Sequence, residues 1–187
     1  MDHYLDIRLR PDPEFAQYQL MNALFGKLHR ALVEGRHADI GASFPEVDPG
    51  RPTLGACLRL HGKAPALTTL MNRDWLTGMR DHIHANEIQP VPAKTAHRAV
   101  SRIQPKSSVE RIRRRQMRRQ GVDADTIETR IPDFVVPRLS LPFVSLRSQS
   151  TKQTFRLFID HRPLVESPIS GTFSSYGLSN AATVPWF

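Results

Sequence analysis

The fold is decided near the start of the chain, in YLDIRL (Tyr4–Leu9) and, beyond Pro11 and Pro13, in EFAQYQLMNALFGKLHRALVE (Glu14–Glu34). In the first run Leu5, Ile7 and Leu9 point one way while Asp6 and Arg8 point the other, the two-residue period of a strand. The second run carries Phe15, Tyr18, Met21, Leu24, Phe25, Leu28 and Leu32 at helical spacing, which predicts an amphipathic helix ended by Gly35. Working outward, Ile40–Phe44 and Leu54–His61 read as short strands separated by the turn-rich EVDPGRP. Ala64–Asn72 reads as a second helix, with Trp75 and Leu76 as its outer limit, and Met79–His84 as another strand. The order β-α-β-β-α-β is that of a ferredoxin-like or RRM-like unit.

The expected class is therefore α+β, with a ferredoxin-like domain over residues 1–92 and a second lobe over 93–187, beyond the linker prolines Pro90 and Pro92. In that lobe Ser107 or Ser108 can cap a helix, VERIRRRQMRRQ, which stops at Gly121. A short helix from Asp123 to Arg130 ends before Pro132, and strands are expected at Phe143–Arg147, Thr154–Ile159 and Thr172–Leu178.

The 187 residues can bury a real core, and no apolar run approaches a membrane span. The start MDHYLDIRLR has no signal-peptide h-region, so a cytoplasmic protein is expected. A single cysteine, Cys57, excludes an internal disulfide and a cysteine-based zinc site, and reads as a small buried strand residue. Of eight histidines, only His82 and His84 have a spacing that puts two on one strand face, which is weak evidence for a metal. Charge says more. Up to Pro92 there are ten basic and eleven acidic residues; after it there are sixteen and seven, so the whole excess of +8 lies in the second lobe. Only five of the 26 basic residues are lysines, and arginine favours forked recognition of phosphate and guanine.

With about 100° per residue, Arg111, Arg114, Arg115, Arg118 and Arg119 fall within an arc of roughly 140°, while Arg113 points away. Like charges at this spacing repel, so the comb costs stability unless an anion is held. No helix-turn-helix or zinc-finger spacing supports DNA. An RNA duplex has a deep, narrow major groove, which a helix enters more easily near the end of a short stem, so a hairpin is the expected partner. A solvated basic face, a basic DNA-binding protein and a non-catalytic RNA-binding module of RRM-like fold all fit the composition as well.

The run Ser101-Arg102-Ile103-Gln104, the arginine helix, Leu146-Arg147-Ser148-Gln149-Ser150-Thr151, the ending Tyr176-Gly177-Leu178-Ser179 … Val184-Pro185-Trp186-Phe187, and His29 together resemble the type I-F CRISPR repeat-processing endoribonuclease. The resemblance covers the whole chain. It implies a ferredoxin-like domain followed by a lobe with the arginine helix, and binding of the CRISPR repeat stem-loop in precursor crRNA. It also implies a cut at the 3′ base of the stem without metal or other cofactor, leaving a 2′,3′-cyclic phosphate. The product hairpin would be retained in a surveillance complex with other subunits. Gln120, where the family has a basic or imidazole side chain, and Lys152, after the RSQST segment, depart from the pattern.

The resemblance also assigns roles. His29, at the margin of the first helix's apolar face, becomes the proton-transfer group, a task suited to a side chain that titrates near neutrality. By position alone it reads as a partly exposed surface histidine. Ser148 would hold the attacking 2′-hydroxyl; no GxSxG surrounds it, and without the family it is an ordinary turn hydroxyl. Tyr176 would orient His29, and Ser150 and Thr151 would contact phosphates. Arg102 and Gln104, two apart in extended chain, would read guanine and adenine, pairings that base-edge chemistry favours. Phe155 would stack on the terminal base pair; on its own it reads equally as strand core.

Overall fold

The computed structural model describes residues 1–48, 50–104, 113, 116–119 and 139–187. By packing, the chain divides into one unit of Met1–Ile103 with Leu141–Phe187, and a second of Gln104–Ser140. In the first unit β1 (His3–Leu9), α1 (Gln17–Gly35), β2 (Gly41–Ser43), β3 (Cys57–Gly62), α2 (Ala64–Met71) and β4 (Ile83–Ala85) follow in the expected order. Their sheet runs β2-β3-β1-β4, with β5 (Gln89–Pro90) also paired to β1. Every pairing in it is antiparallel. This is an α+β chain with a ferredoxin-like order of elements.

Helix α1 begins later than its periodicity predicts. The Asp12 carboxylate accepts the N–H groups of Glu14 and Phe15, each at 2.9 Å, and holds that segment as a turn. Gln19 then reaches back to the Ala16 N–H at 2.9 Å, the returning half of a capping box. Phe15 and Tyr18, expected on the apolar face, are consequently exposed, whereas Met21, Leu24, Phe25, Leu28 and Leu32 are buried. At the other end the left-handed residue is Arg36 (φ 54°), not Gly35. Gly35 serves by making room, because a Cβ there would lie 2.4 Å from the His37 ring.

Leu5 and Ile7, opposite Leu60 and Leu58, join the helices in the core. The other face, whose charges imply a solvated surface, is solvated only in part: Arg8 is exposed, but Asp6 lies directly across from Arg59 and both side chains are buried. Arg59 donates to Asp6 through Nε (2.6 Å) and Nη2 (2.9 Å), and through Nη1 to the Phe187 carbonyl (2.9 Å). Its guanidinium lies over the rings of Phe187 (4.1 Å) and Tyr4 (4.7 Å). His61 on the same face is fully buried and paired with Ser43 at 2.8 Å, and desolvation pushes its pKa down to about 3. Cys57 is buried in β3, and its thiol is pushed up to about 12, first by burial and then by Asp6.

The later strands are β6 (Ala96–Arg98), β7 (Val100–Ile103), β8 (Phe143–Arg147), β9 (Thr154–His161) and β10 (Val184–Trp186). They form a β7-β9-β8 sheet and a β10–β6 pair. Strand β8 leaves one edge to α1, where Asn22 Oδ1 accepts the Ser145 N–H at 2.9 Å and so satisfies an edge donor. Gly26 faces Leu146 there, and a Cβ in its place would meet the Leu146 Cδ2 at 3.6 Å, an ordinary packing distance. Two strand expectations change. Thr172–Leu178 is a loop with a turn, not a strand, because its N–H and C=O groups bond locally, to Ala38, to β2 and to the His29 ring. Met79–His84 contributes only its end to β4, after a short 3-10 turn at Arg80–His82.

In the second unit, residues 113 and 116–119 are helical. Arg118 and Arg119 are exposed there, while Arg111, Arg114, Arg115 and the expected helix Asp123–Arg130 lie outside the described residues. No helix among the described residues is long and apolar enough to cross a membrane.

Candidate active site and family

Around His29 on α1, groups from three further stretches of chain assemble: residues 175–176, the β8–β9 loop and β7. Helix α1 presents the half-buried His29 one residue beyond the core residue Leu28, so its backbone is fixed by the apolar stripe. Its Nδ1 donates to the Ser175 carbonyl at 2.8 Å. The ring stacks on Tyr176, with centroids 4.1 Å apart and planes within 11°. Tyr176 in turn lies parallel to Phe25 at 6.3 Å, so the stack is anchored in the core.

The second stretch is the loop between β8 and β9. The N–H of Ser148 donates to the Gln153 carbonyl (2.9 Å), and the N–H of Lys152 returns to the Ser148 carbonyl (3.0 Å). Lys152 adopts φ 57°, a left-handed conformation that closes the loop. Ser148 Oγ accepts the Thr151 N–H (3.2 Å) and lies 3.2 Å from Ser150 Oγ, so the hydroxyl pair is held in place before any ligand arrives.

These stretches face each other across a cleft of about 620 Å³. His29, Ser148, Ser150, Phe155 and Tyr176 all line it; Thr151 does not. From the third stretch, Arg102 on β7 places its guanidinium over Tyr176 at 5.5 Å and Phe155 at 5.9 Å. Its Nε is buried and has no hydrogen-bond partner among the described residues. Gln104, just past β7, is exposed and begins the second unit, and Arg118 and Arg119 belong to that unit.

Three cationic side chains on the cleft escaped the sequence reading: Lys27 and Arg30 on α1, and Arg147 at the end of β8. Summing charge over the first 92 residues hides Lys27 and Arg30, because acidic residues elsewhere in that half offset the local excess. Helical position was the available signal, since Lys27 and Arg30 flank His29 in sequence. His82 is occupied otherwise: its Nδ1 meets Asp12 Oδ2 at 2.7 Å in the turn before β4, so it does not share a strand face with His84.

Chemically, the cleft offers one imidazole with an orienting acceptor, fixed hydroxyls and cations. That set can bind a phosphodiester and move a proton beside it. Over residues 4–187 the sequence matches the model of a family described as CRISPR-associated protein (Cas_Csy4). It is 55% identical over 187 residues, the full length of both chains, to a CRISPR-associated endonuclease Cas6/Csy4 of Pseudomonas aeruginosa (strain UCBPP-PA14). A protein of the same description from Escherichia coli (strain UTI89 / UPEC) is 45% identical, again over the full length of both chains. With the fold, the cleft and matches that span the chain in agreement, this protein belongs to the Cas_Csy4 family of CRISPR-associated proteins.

Proposed function

We propose that this protein is the endoribonuclease that matures CRISPR RNA in its host, binding the repeat stem-loop of precursor crRNA and cutting at the 3′ base of the stem. The observation that carries the reading is the oriented imidazole of His29, stacked on Tyr176 and sharing one cleft with the Ser148 and Ser150 hydroxyls. A passive RNA-binding module has no need of that arrangement.

In this reading Ser148 holds the ribose 2′-hydroxyl upstream of the scissile phosphate. That oxygen attacks phosphorus, the bond from phosphorus to the 5′-oxygen breaks, and a 2′,3′-cyclic phosphate and a 5′-hydroxyl result. The proton passes through His29, with the protein fixing the in-line geometry. Ser150 and Thr151 hold neighbouring phosphates, Phe155 stacks beneath the stem, and Arg102 and Gln104 read the bases next to the cut. Arg111, Arg114, Arg115, Arg118 and Arg119 grip the stem, so residues 93–187 supply most of the RNA-binding groups and residues 1–92 the histidine. No metal takes part. The product hairpin stays bound, in the cytoplasm, as part of a complex with other CRISPR-associated subunits.

The test is to mix the purified protein with its own repeat RNA in excess chelator. Cleavage should proceed, a single 2′-deoxy substitution at the cut site should abolish it, and His29→Ala should bind the hairpin but leave it whole. A strict need for divalent metal, or cutting of the 2′-deoxy substrate, would sink the mechanism. Equal binding of the matching DNA hairpin at the same salt would argue for a DNA-binding protein instead.

A further inference from the structure

We propose that the turn at residues 174–177 is the positioning element of the reaction, with Gly177 as its fixing residue. It holds His29 as the Nδ1–H tautomer, so that Nε2 is the nitrogen through which the proton passes. The inference rests on the function proposed above and assigns roles to residues that have none there.

A neutral imidazole carries its proton on one nitrogen, and the hydrogen bond made by that nitrogen selects the tautomer. A backbone carbonyl can only accept. The Ser175 carbonyl, 2.8 Å from Nδ1, therefore places the proton on Nδ1 and leaves the lone pair on Nε2. Flipping the ring would forfeit this bond, while the Tyr176 face at 4.1 Å restricts tilting. When His29 becomes charged, the same contact becomes a charge-assisted hydrogen bond, roughly twice as strong as a neutral one.

A carbonyl can do this only if its turn is fixed. The Gly177 N–H closes the turn onto the Ser174 carbonyl (2.8 Å), and the Ser174 N–H donates to the Leu178 carbonyl (2.8 Å). The turn is bolted to β2, because the Gly177 carbonyl accepts the Ala42 N–H at 2.7 Å. Gly177 has φ +69°, and a Cβ on it would lie 2.9 Å from Ala42 Cβ and 3.1 Å from Ala42 N. Both features select glycine: the first by conformation, the second by the close approach to β2. A larger residue must push the turn away from β2, and the Ser175 carbonyl moves with it.

The experiment uses the full chain with ¹⁵N-labelled histidine side chains and reads the His29 tautomer by NMR at alkaline pH without RNA. Single-turnover cleavage of the saturated repeat hairpin is measured in parallel. The wild type should show the Nδ1–H tautomer. Gly177→Ala should shift His29 toward a mixture and slow cleavage by about ten- to a hundredfold, the loss typical when the orienting partner of a metal-bound histidine is removed. Hairpin affinity should change little. If Gly177→Ala does not fold, replacing the amide between Ser175 and Tyr176 by an ester weakens the acceptor without adding an atom in the turn, and should produce the same two changes. An Nε2–H tautomer in the wild type, or slower cleavage with an unaltered tautomer, would overturn the proposal. A wild type with the Nδ1–H tautomer that leaves the repeat hairpin uncut would refute the function and leave the positioning intact.

Discussion

Replacing Arg59 by methionine tests how the charged face of the sheet is held. The substitution strands Asp6, which is only 4% exposed and has both carboxylate oxygens bound by the guanidinium. Breaking a buried pair from one side costs about 3–5 kcal/mol, because the remaining charge is uncompensated. Loss of the cation from over Tyr4 and Phe187 adds about 0.5–2 kcal/mol. The total of roughly 4–7 kcal/mol is comparable with the whole stability of many domains. Urea unfolding at neutral pH should show it as a large fall in midpoint. Combining Arg59→Met with Asp6→Leu should recover most of the loss, since two apolar residues of matched volume need no partner. If the single variant costs under about 1 kcal/mol, or if the double variant loses as much as the two single variants together, the pair is not the clamp described.

Two neutral histidines, the buried His61 and the half-buried His161, set an acid limit. Burial, then the nearby Arg98, pushes His161 down to about 4, and burial pushes His61 to about 3. Both folded values lie below the unfolded one, so the unfolded chain binds the extra protons and stability falls as pH drops from about 6.5 toward those values. His161 alone should account for roughly 3 kcal/mol by pH 4, and His161→Gln should flatten that part of the pH–stability curve. Asn22→Ala should cost about 1–3 kcal/mol by leaving the Ser145 N–H without its acceptor, and thermal melting should detect it. Arg118→Ala and Arg119→Ala should each lower the slope of log affinity against log salt by about 1, without slowing cleavage of saturated hairpin.

What was legible in the sequence follows from what local pattern can carry. Helix α1, strands β1 and β8 and the β-α-β-β-α-β order of elements along the chain are fixed by apolar periods within single segments. The burial of Asp6 was not legible, because its cover, Phe187, comes from the other end of the chain. Thr172–Leu178 looks like a strand until Gly177 takes a positive φ and Ser174 closes a turn. Pro185 argues against a strand there, yet β10 pairs with β6 at a register where Pro185 faces His97. At the candidate site the resemblance named His29, Ser148 and Tyr176, and they line one cleft. The Ser175 carbonyl was out of reach, since a backbone acceptor has no side-chain signature. Lys27 and Arg30 were visible as residues, but not as neighbours of Ser148.

The bond between His29 and Ser175 spans 146 residues, which also makes it a clock for synthesis. At about 5–20 residues per second, some 7–30 s separate translation of the histidine from translation of its acceptor. The ferredoxin-like strands and α1 can pair long before that, and the arginine-bearing helix is made in the interval. On the proposed function, a nascent chain can therefore present RNA-gripping groups while its imidazole still lacks an orienting partner. Any RNA caught at that stage would be held but not cut until the last stretch of chain docks on β2.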